Sequence, residues 1–227
     1  MWCPVYKEPI PKIIHQIAPS DEKKWNPIWK PCQESWKRHF PDWEYRLWND
    51  EEDLDIFIKT KYAWFYPTFS GYPKKINRID AARYFFLYEY GGLYADMDFE
   101  CLKNFEHLLL DGCVNIAESP HYPGEKYQNA LMVSTKHHPL WKNIWKYLED
   151  HKTVTDICSA TGPGVIIAHD GQFYPLNHKK FAPWIYPIGL NKQLNPLESL
   201  KIKAGPDVYT RHHGTGVWFK NTLSEVI

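Results

Sequence analysis

The stretch INRIDAARYFFLYEYGGLYADMDF, residues 76–99, decides the fold, because a helix, a glycine stop and a short strand follow one another in it. The apolar spacing predicts a helix over residues 76–90. Gly91 and Gly92 end that helix, as glycine C-caps do. The three residues that follow predict a short extended segment leading into an acidic loop.

Two charged side chains of this helix lie on its apolar side. At 100° per residue, Asp80 and Arg83 fall inside the arc formed by the apolar residues. Charged groups are rarely buried unless they are paired or bound to a ligand. A charged pair on a buried face, followed by Asp96 and Asp98, therefore predicts a functional site.

The rest of the chain predicts one α/β domain over residues 1–227. Strand, helix and strand are predicted at residues 11–17, 25–40 and 43–48, which is a βαβ unit of a mostly parallel sheet. Further predictions are a helix at 51–62, a loop at 63–75, strands at 113–117 and 130–133, and a helix at 137–149.

The composition excludes some classes of partner. The chain has 27 basic and 27 acidic residues, and this balance argues against nucleic acid. A Trp-rich core accounts for most of its 11 Trp, 15 Tyr and 11 Phe, and the excess weakly favours a carbohydrate or nucleotide ligand, because aromatic faces also stack on sugars and bases.

The cysteines and the hydrophobic segments indicate the cellular compartment to expect for this protein. Five cysteines without CxxC spacing predict free thiols and a reducing compartment. We see no signal peptide, and no run approaches the roughly 20 apolar residues of a membrane span. A cytoplasmic location, with membrane association only peripheral, is the expectation.

Asp96 and Asp98 have the spacing of a shared cation site. In an extended segment, side chains two residues apart point to the same side, so both carboxylates would reach one Mg²⁺ or Mn²⁺. Asp53 and Asp55 repeat the spacing inside a predicted surface helix, so the spacing alone is weak evidence. The position after a strand favours the first pair.

Structural explanations compete with functional ones. Asp80 and Arg83 would also suit a buried i, i+3 ion pair that orients the helix. Isolated histidines such as His15, His137 and His138 are more often packing residues than ligands.

Several segments of the chain resemble those of a known family. The string DAARYFFLYEYGGLYADMD (80–98) is similar to the signature of DXD glycosyltransferases with a sugar-binding region. These are the Och1-like and capsular-polysaccharide-type enzymes (glycosyltransferase family 32-like), which are distant relatives of the glucosylating toxins. Other matching segments are PKIIHQI (11–17), SWKRHFPDWEYRLWND (35–50), QNALMVSTKHHP (128–139), TGP (161–163) and HHGTGVW (212–218).

The resemblance implies a GT-A fold and a metal-dependent, retaining transfer of a hexose of the mannose, galactose or glucose type. The donor would be a UDP-hexose or GDP-mannose, and the acceptor a glycan or glycolipid. Mn²⁺ or Mg²⁺ would be held by Asp96, Asp98 and His213, with His212 as the fallback.

The resemblance also assigns the remaining site residues. Asp80, Arg83 and Asn129 would hold the donor sugar at the reacting centre. The residues implied to contact the nucleotide or its diphosphate are His15, Gln16, Ile17, Asp80, Arg83, Asp96 and Trp218. Two positions depart from the family: Ala18 stands where an aromatic residue usually stacks on the base, and Val217 replaces a serine.

Two other functions use the same residues. A metal-dependent phosphoesterase or nucleotide-sugar hydrolase would release sugar regardless of acceptor, and a catalytically inactive carbohydrate- or nucleotide-binding module would bind donor without turnover. For the transferase, we expect front-face attack, since the sequence marks no nucleophile beyond a guess at Glu118. The acceptor loops are expected at residues 63–75 and 121–126.

Overall fold

A computed structural model describes residues 8–119, 126–182, 197, 200–201 and 203–215. The strands in these ranges are β1 (Ile13–Ala18), β2 (Glu44–Asn49), β3 (Gly92–Ala95), β4 (Phe99–Cys101), β5 (Val114–Glu118), β6 (Tyr127–Ser134), β7 (Tyr174–Leu176) and β8 (Thr210–His212). The helices are α1 (Trp29–His39), α2 (Glu52–Lys61), α3 (Tyr66–Gly71), α4 (Lys75–Glu89), α5 (Leu140–Asp150), α6 (Ile157–Ala160), α7 (Pro163–Ile167) and α8 (His178–Phe181), and short 3₁₀ helices cover Glu22–Lys24 and Glu106–Leu108.

A six-stranded sheet in the order β2-β1-β3-β6-β5-β7 forms the centre. Strand β1 pairs in parallel with both β2 and β3, which confirms the βαβ unit. Strand β6 runs antiparallel to its neighbours β3 and β5, and β5 pairs in parallel with β7. The predicted α/β class with a mostly parallel sheet is therefore confirmed.

The two faces of the sheet are covered by different elements. Helices α2 to α5 and α7 pack on one face, around Phe85, Phe86 and Trp141. Helix α1, strand β4 and helix α8 pack on the other face, around Trp36, Phe99 and Phe181. Strand β1 is buried almost throughout because it lies between two strands and under both layers.

The glycine pair after α4 sets the angle at which the chain enters β3. Gly91 and Gly92 have φ values of +65° and +88°. A Cβ on Gly92 would lie 2.4 Å from the carbonyl oxygen of Ile13 in β1. Only glycine allows this approach, so the pair ends the helix and lets β3 join β1.

Several predicted boundaries need correction. Helix α1 begins at Trp29, four residues later than predicted, because Asn26 caps the turn before it: its side-chain oxygen accepts from the amide of Ile28. The segment predicted as a loop at 63–75 contains α3, which Pro67 helps to start. Helix α5 begins only at Leu140.

Strand β8 was not predicted, and it has the largest consequence for the site. It pairs antiparallel with β4, with His212 opposite Phe99. This pairing brings the C-terminal histidines beside the acidic loop that precedes β4.

The cysteines correct the thiol prediction in part. Cys32 and Cys101 are buried free thiols, whereas Cys113 is disulfide-bonded. In the described part of the chain, no helix has the length and apolar character needed to cross a membrane.

Candidate active site

Asp80 and Arg83 form a buried ion pair that points from α4 toward the sheet. Their exposed fractions are 5% and 2%, and Arg83 Nη2 lies 2.8 Å from Asp80 Oδ1. The second terminal nitrogen, Nη1, donates to the backbone oxygen of Asn129 at 2.9 Å and lies 3.2 Å from Asp96 Oδ1. One guanidinium therefore links the helix, strand β6 and the acidic loop.

The Asp80 carboxylate is held from several directions. The amide of Asn129 donates to Oδ1 at 3.1 Å, and the hydroxyl of Thr161 donates to Oδ2 at 3.3 Å. Burial raises the pKa of Asp80 to about 6, although Arg83, Asn129 and Thr161 oppose this shift. Asp80 is thus ionised at neutral pH but protonates more readily than an exposed aspartate.

Asp96 and Asp98 lie in a tight turn, which corrects the expectation of an extended segment. The amide of Phe99 donates to the backbone oxygen of Asp96 at 3.0 Å, closing the turn as the chain passes from β3 into β4. The hydroxyl of Tyr94 donates to Asp96 Oδ1 at 2.7 Å, and the Tyr94 ring lies 4.6 Å from the Arg83 guanidinium carbon.

Asp98 has one carboxylate oxygen fixed and the other turned toward a histidine. Both the backbone amide and the hydroxyl of Thr215 donate to Oδ2, at 2.7 and 2.9 Å. Oδ1 lies 3.3 Å from His212 Nε2. Burial alone would raise the pKa of Asp98, but His212 and Thr215 outweigh it and hold the pKa below its usual range.

The two adjacent histidines have different surroundings. His213 Nε2 lies 3.0 Å from Glu100 Oε2, which is also 3.5 Å from Arg211 Nη1. His212, the last residue of β8, instead faces Asp98, and the different direction of His213, the next residue, fits the alternation of side chains along an extended chain. The geometry therefore places the fallback ligand His212, rather than the first choice His213, beside the aspartates.

Asp96, Asp98 and His212 suit a divalent cation. One donor atom from each of the three lies within 4.8 Å of the others. Two carboxylates and one imidazole are a donor set that suits Mn²⁺ and related transition metals better than Ca²⁺. The side chain of Asp96 is 30% exposed, so the site is open on one side.

The strand residues predicted to contact the nucleotide also make contacts that build the site, and their contact with a nucleotide stays a prediction. Gln16 is fully buried; its amide donates to the Asp96 backbone oxygen at 3.1 Å and its oxygen accepts from Tyr45. His15 is also fully buried, between Gly91 O at 3.0 Å and the indole of Trp48 at 3.2 Å. Burial lowers the pKa of His15 to about 4, and Ile17 packs in the core.

Comparison with known proteins agrees with this geometry. Residues 27–115 match the family described as "Glycosyltransferase sugar-binding region containing DXD motif". This part of the chain is therefore similar to the sugar-binding region of the DXD glycosyltransferases. It contains the ion pair on α4 and the DXD motif Asp96–Met97–Asp98.

Curated relatives share the same region. The chain is 36% identical over 142 residues to "Inositol phosphoceramide mannosyltransferase 1" of Schizosaccharomyces pombe, covering 60% of this chain and 42% of that protein. It is 35% identical over 161 residues to "Mannosyl phosphorylinositol ceramide synthase CSH1" of Saccharomyces cerevisiae, covering 68% of this chain and 40% of that protein. The chain thus spans about two fifths of the length of these relatives.

Solved structures support the fold. The galactosyltransferase LgtC, determined with donor and acceptor sugar analogues, superposes with a TM-score of 0.51 at 17% identity, covering 94% of each chain. The chain therefore has the GT-A fold that was expected from its sequence.

Most of the predicted site residues converge around the DXD motif. Asp80, Arg83, Asn129 and Asp96 form one hydrogen-bonded group, and Asp98 adjoins it through the turn. Trp218 and Val217 lie outside the described residues. The second D-x-D pair is separate: Asp53 Oδ2 accepts from the Asn49 amide at the start of α2, and Asp55 accepts from Tyr66.

Sequence reasoning missed several supporting residues. Tyr94 and Thr215 both bind the carboxylates of the DXD motif, and the Tyr84 hydroxyl accepts a hydrogen bond from the amide of Asn129. Tyr94 precedes Asp96 by two residues, a spacing that could have indicated it. Thr215 could be found only through its place in the C-terminal HHGTG segment, since nothing local marks it as a partner of Asp98.

Proposed function

We propose that this chain is the catalytic region of a metal-dependent, retaining mannosyltransferase. The donor would be GDP-mannose, in preference to a UDP-hexose, and the acceptor a glycolipid with an inositol phosphate headgroup. The names of the curated relatives support the choice of sugar and acceptor. The observation that carries the proposal is the convergence of Asp80, Arg83 and Asn129 with a cation site at the carboxyl edge of the sheet.

The buried polar groups fit a nucleotide-sugar donor. Arg83 Nε is buried and has no hydrogen-bond acceptor among the described residues. Buried donors without acceptors are costly, and a phosphate or sugar oxygen would satisfy this one. Asp80 would accept hydrogen bonds from sugar hydroxyls, holding the anomeric carbon in place.

A divalent cation would neutralise charge on the leaving diphosphate. Asp96, Asp98 and His212 would hold it, while Tyr94 and Thr215 keep the two carboxylates oriented. The positive charge of Arg83 would add to this stabilisation.

The arrangement of carboxylates supports front-face attack. Asp80 and Asp96 are both engaged by Arg83, and Asp98 by His212 and Thr215. Glu118, the guessed nucleophile, has Oε2 bound to His178. In this proposal the leaving phosphate takes the proton of the acceptor hydroxyl. Trapping a covalent glycosyl-enzyme would contradict it.

The disulfide bears on the compartment. Because disulfides persist mainly in oxidising compartments, the bond at Cys113 argues against the cytoplasmic location expected from the sequence. We propose that the catalytic region acts in an oxidising lumen, with its acceptor in the adjoining membrane. Activity that survives only under oxidising conditions, and is lost with Cys113→Ser, would support this.

A donor panel tests the function. Wild-type protein with MnCl₂ is offered GDP-mannose, UDP-galactose and UDP-glucose, and nucleotide release is followed with and without inositol phosphoceramide in mixed micelles. We expect release from GDP-mannose that depends on the acceptor. Asp98→Asn should lower turnover at least about 100-fold, and Asp53→Asn, from the second D-x-D pair, should leave it within about twofold.

Each alternative gives a different result. Equal release with and without acceptor would identify a nucleotide-sugar hydrolase. Donor binding without turnover, left intact by Asp98→Asn, would identify an inactive binding module. Absence of release from every donor would refute the transferase.

A further inference from the structure

A second carboxylate lies at the same edge of the sheet as the DXD motif, outside the group around Arg83. Glu118 ends strand β5, which is separated from β3 only by β6. It is paired with Tyr127, two residues before Asn129 in β6. Ligands of α/β sheets bind beyond the carboxyl ends of the strands. Glu118 therefore borders the space in front of Asp80, Arg83 and Asn129, the residues proposed to hold the donor sugar.

The local backbone turns this side chain out of the regular sheet. The pairing of β5 with β6 shifts register between Ile116 and Glu118. Such bulges re-aim a side chain and are frequent next to active sites. The backbone oxygen of Glu118 accepts from Gln128 at 2.9 Å, which holds the bulge in place.

One carboxylate oxygen is fixed and the other is available. Oε2 accepts from the backbone amide of His178 at 3.0 Å and lies 2.8 Å from His178 Nδ1. The described contacts leave Oε1 without a partner, and the side chain is 15% exposed. A carboxylate that is held by one oxygen, while the other has no partner among the described residues, is suited to accept a charge-assisted hydrogen bond from a hydroxyl.

We propose that Glu118, oriented by His178, binds a hydroxyl of the acceptor and so positions the acceptor ring against the donor sugar. This inference rests on the proposed transferase function and adds a residue to its acceptor side. The chemistry recognised is a ring with neighbouring hydroxyls, which a glycan sugar and the cyclitol of a lipid headgroup share.

Glu118→Gln tests the role without emptying the position. The Gln carbonyl still accepts from the amide of His178, but an NH₂ group replaces the free oxygen and the charge is lost. Loss of a hydrogen bond to a charged group should raise the acceptor KM about 10- to 150-fold. The Kd for GDP-mannose with Mn²⁺, measured by calorimetry, should stay within about twofold, because no described contact joins Glu118 to Asp80, Arg83 or Asn129. Glu118→Asp, which keeps the charge but is one methylene shorter, should show a smaller rise.

Glu106→Gln is the matched control. The carboxylate of Glu106 is also bound, by Lys12 and Trp43. These two residues directly precede β1 and β2, so Glu106 lies at the amino-terminal ends of the strands, away from the DXD motif. We expect wild-type acceptor and donor constants from this variant. Methyl α-mannoside and inositol phosphoceramide micelles are compared as acceptors, and the acceptor whose KM rises identifies the source of the hydroxyl.

The outcomes separate this inference from the proposed function. An unchanged acceptor KM for both acceptors, or a fall in kcat alone, would overturn the role of Glu118 while leaving the transferase intact. A parallel loss of donor affinity and thermal stability would show that Glu118 only ties β5 to α8, and would overturn it too. Wild-type protein that transfers mannose to neither acceptor would refute the proposed function itself.

Discussion

Removing the Arg83 guanidinium should show how much the ion pair contributes to stability and how much it contributes to donor binding. Arg83→Met keeps a side chain of similar length but removes the partner of two carboxylates and of the Asn129 carbonyl. Breaking a buried pair on one side costs about 3–5 kcal/mol, because it leaves a buried charge uncompensated. For a domain of this size, that loss corresponds to a fall in Tm of roughly 6–20 °C.

The assay combines urea unfolding, calorimetry and donor binding. Arg78→Met is the matched control, since Arg78 is on the same helix but only half-buried, and it should change the free energy of unfolding by less than about 0.5 kcal/mol. Arg83→Lys should be intermediate, because an ammonium keeps the charge without the planar fork that reaches three acceptors.

A second substitution shows which part is functional. Adding Asp80→Asn to Arg83→Met removes the more deeply buried of the two uncompensated charges, since Asp96 is more exposed than Asp80, and should restore part of the stability. Donor affinity should not recover, because both sugar-binding groups are then lost. A loss below about 1 kcal/mol for Arg83→Met, or recovery of donor affinity in the double variant, would refute the reasoning.

Three further predictions concern the metal site, the pH response and the glycine turn. His212→Ala should weaken Mn²⁺ binding, measured by electron paramagnetic resonance, more than about 100-fold, because it removes one of the three proposed donors. His213→Ala should weaken it less, because the His213 side chain lies beside Glu100 and is not one of these donors. A larger effect of His213→Ala would support His213 as the metal ligand, as the sequence resemblance implied. Donor affinity should fall as pH drops below about 6, because Asp80 then becomes protonated. The free energy of unfolding should instead rise as pH falls from about 6 to 4, because the folded state binds this proton more tightly than the unfolded chain does. Asp80→Asn should abolish both pH dependences, and if they persist in this variant, another group causes them. Gly92→Ala should destabilise the protein by about 3 kcal/mol or more in denaturant unfolding, because its Cβ meets the β1 backbone at a positive φ; a loss under about 1 kcal/mol would show that the turn adapts.

Local sequence determined the elements that carry the site. The glycine pair, the apolar spacing before it and the charged residues inside the apolar arc predicted helix α4, its end and a buried ion pair. These features depend on interactions within a few residues, such as helix periodicity and C-capping, so they are visible in a single segment. The resemblance added the GT-A fold and the partners of the ion pair.

Tertiary structure alone decided which distant groups meet. Pairing of β8 with β4 gives His212, not His213, to the aspartates, because the alternation of a strand sends neighbouring side chains to opposite sides. Likewise, only the tertiary structure shows that the side chain of Gln16 in β1 donates to the backbone oxygen of Asp96. Strand register and the direction of a turn are set by packing over the whole sheet, and no local pattern of residues records them.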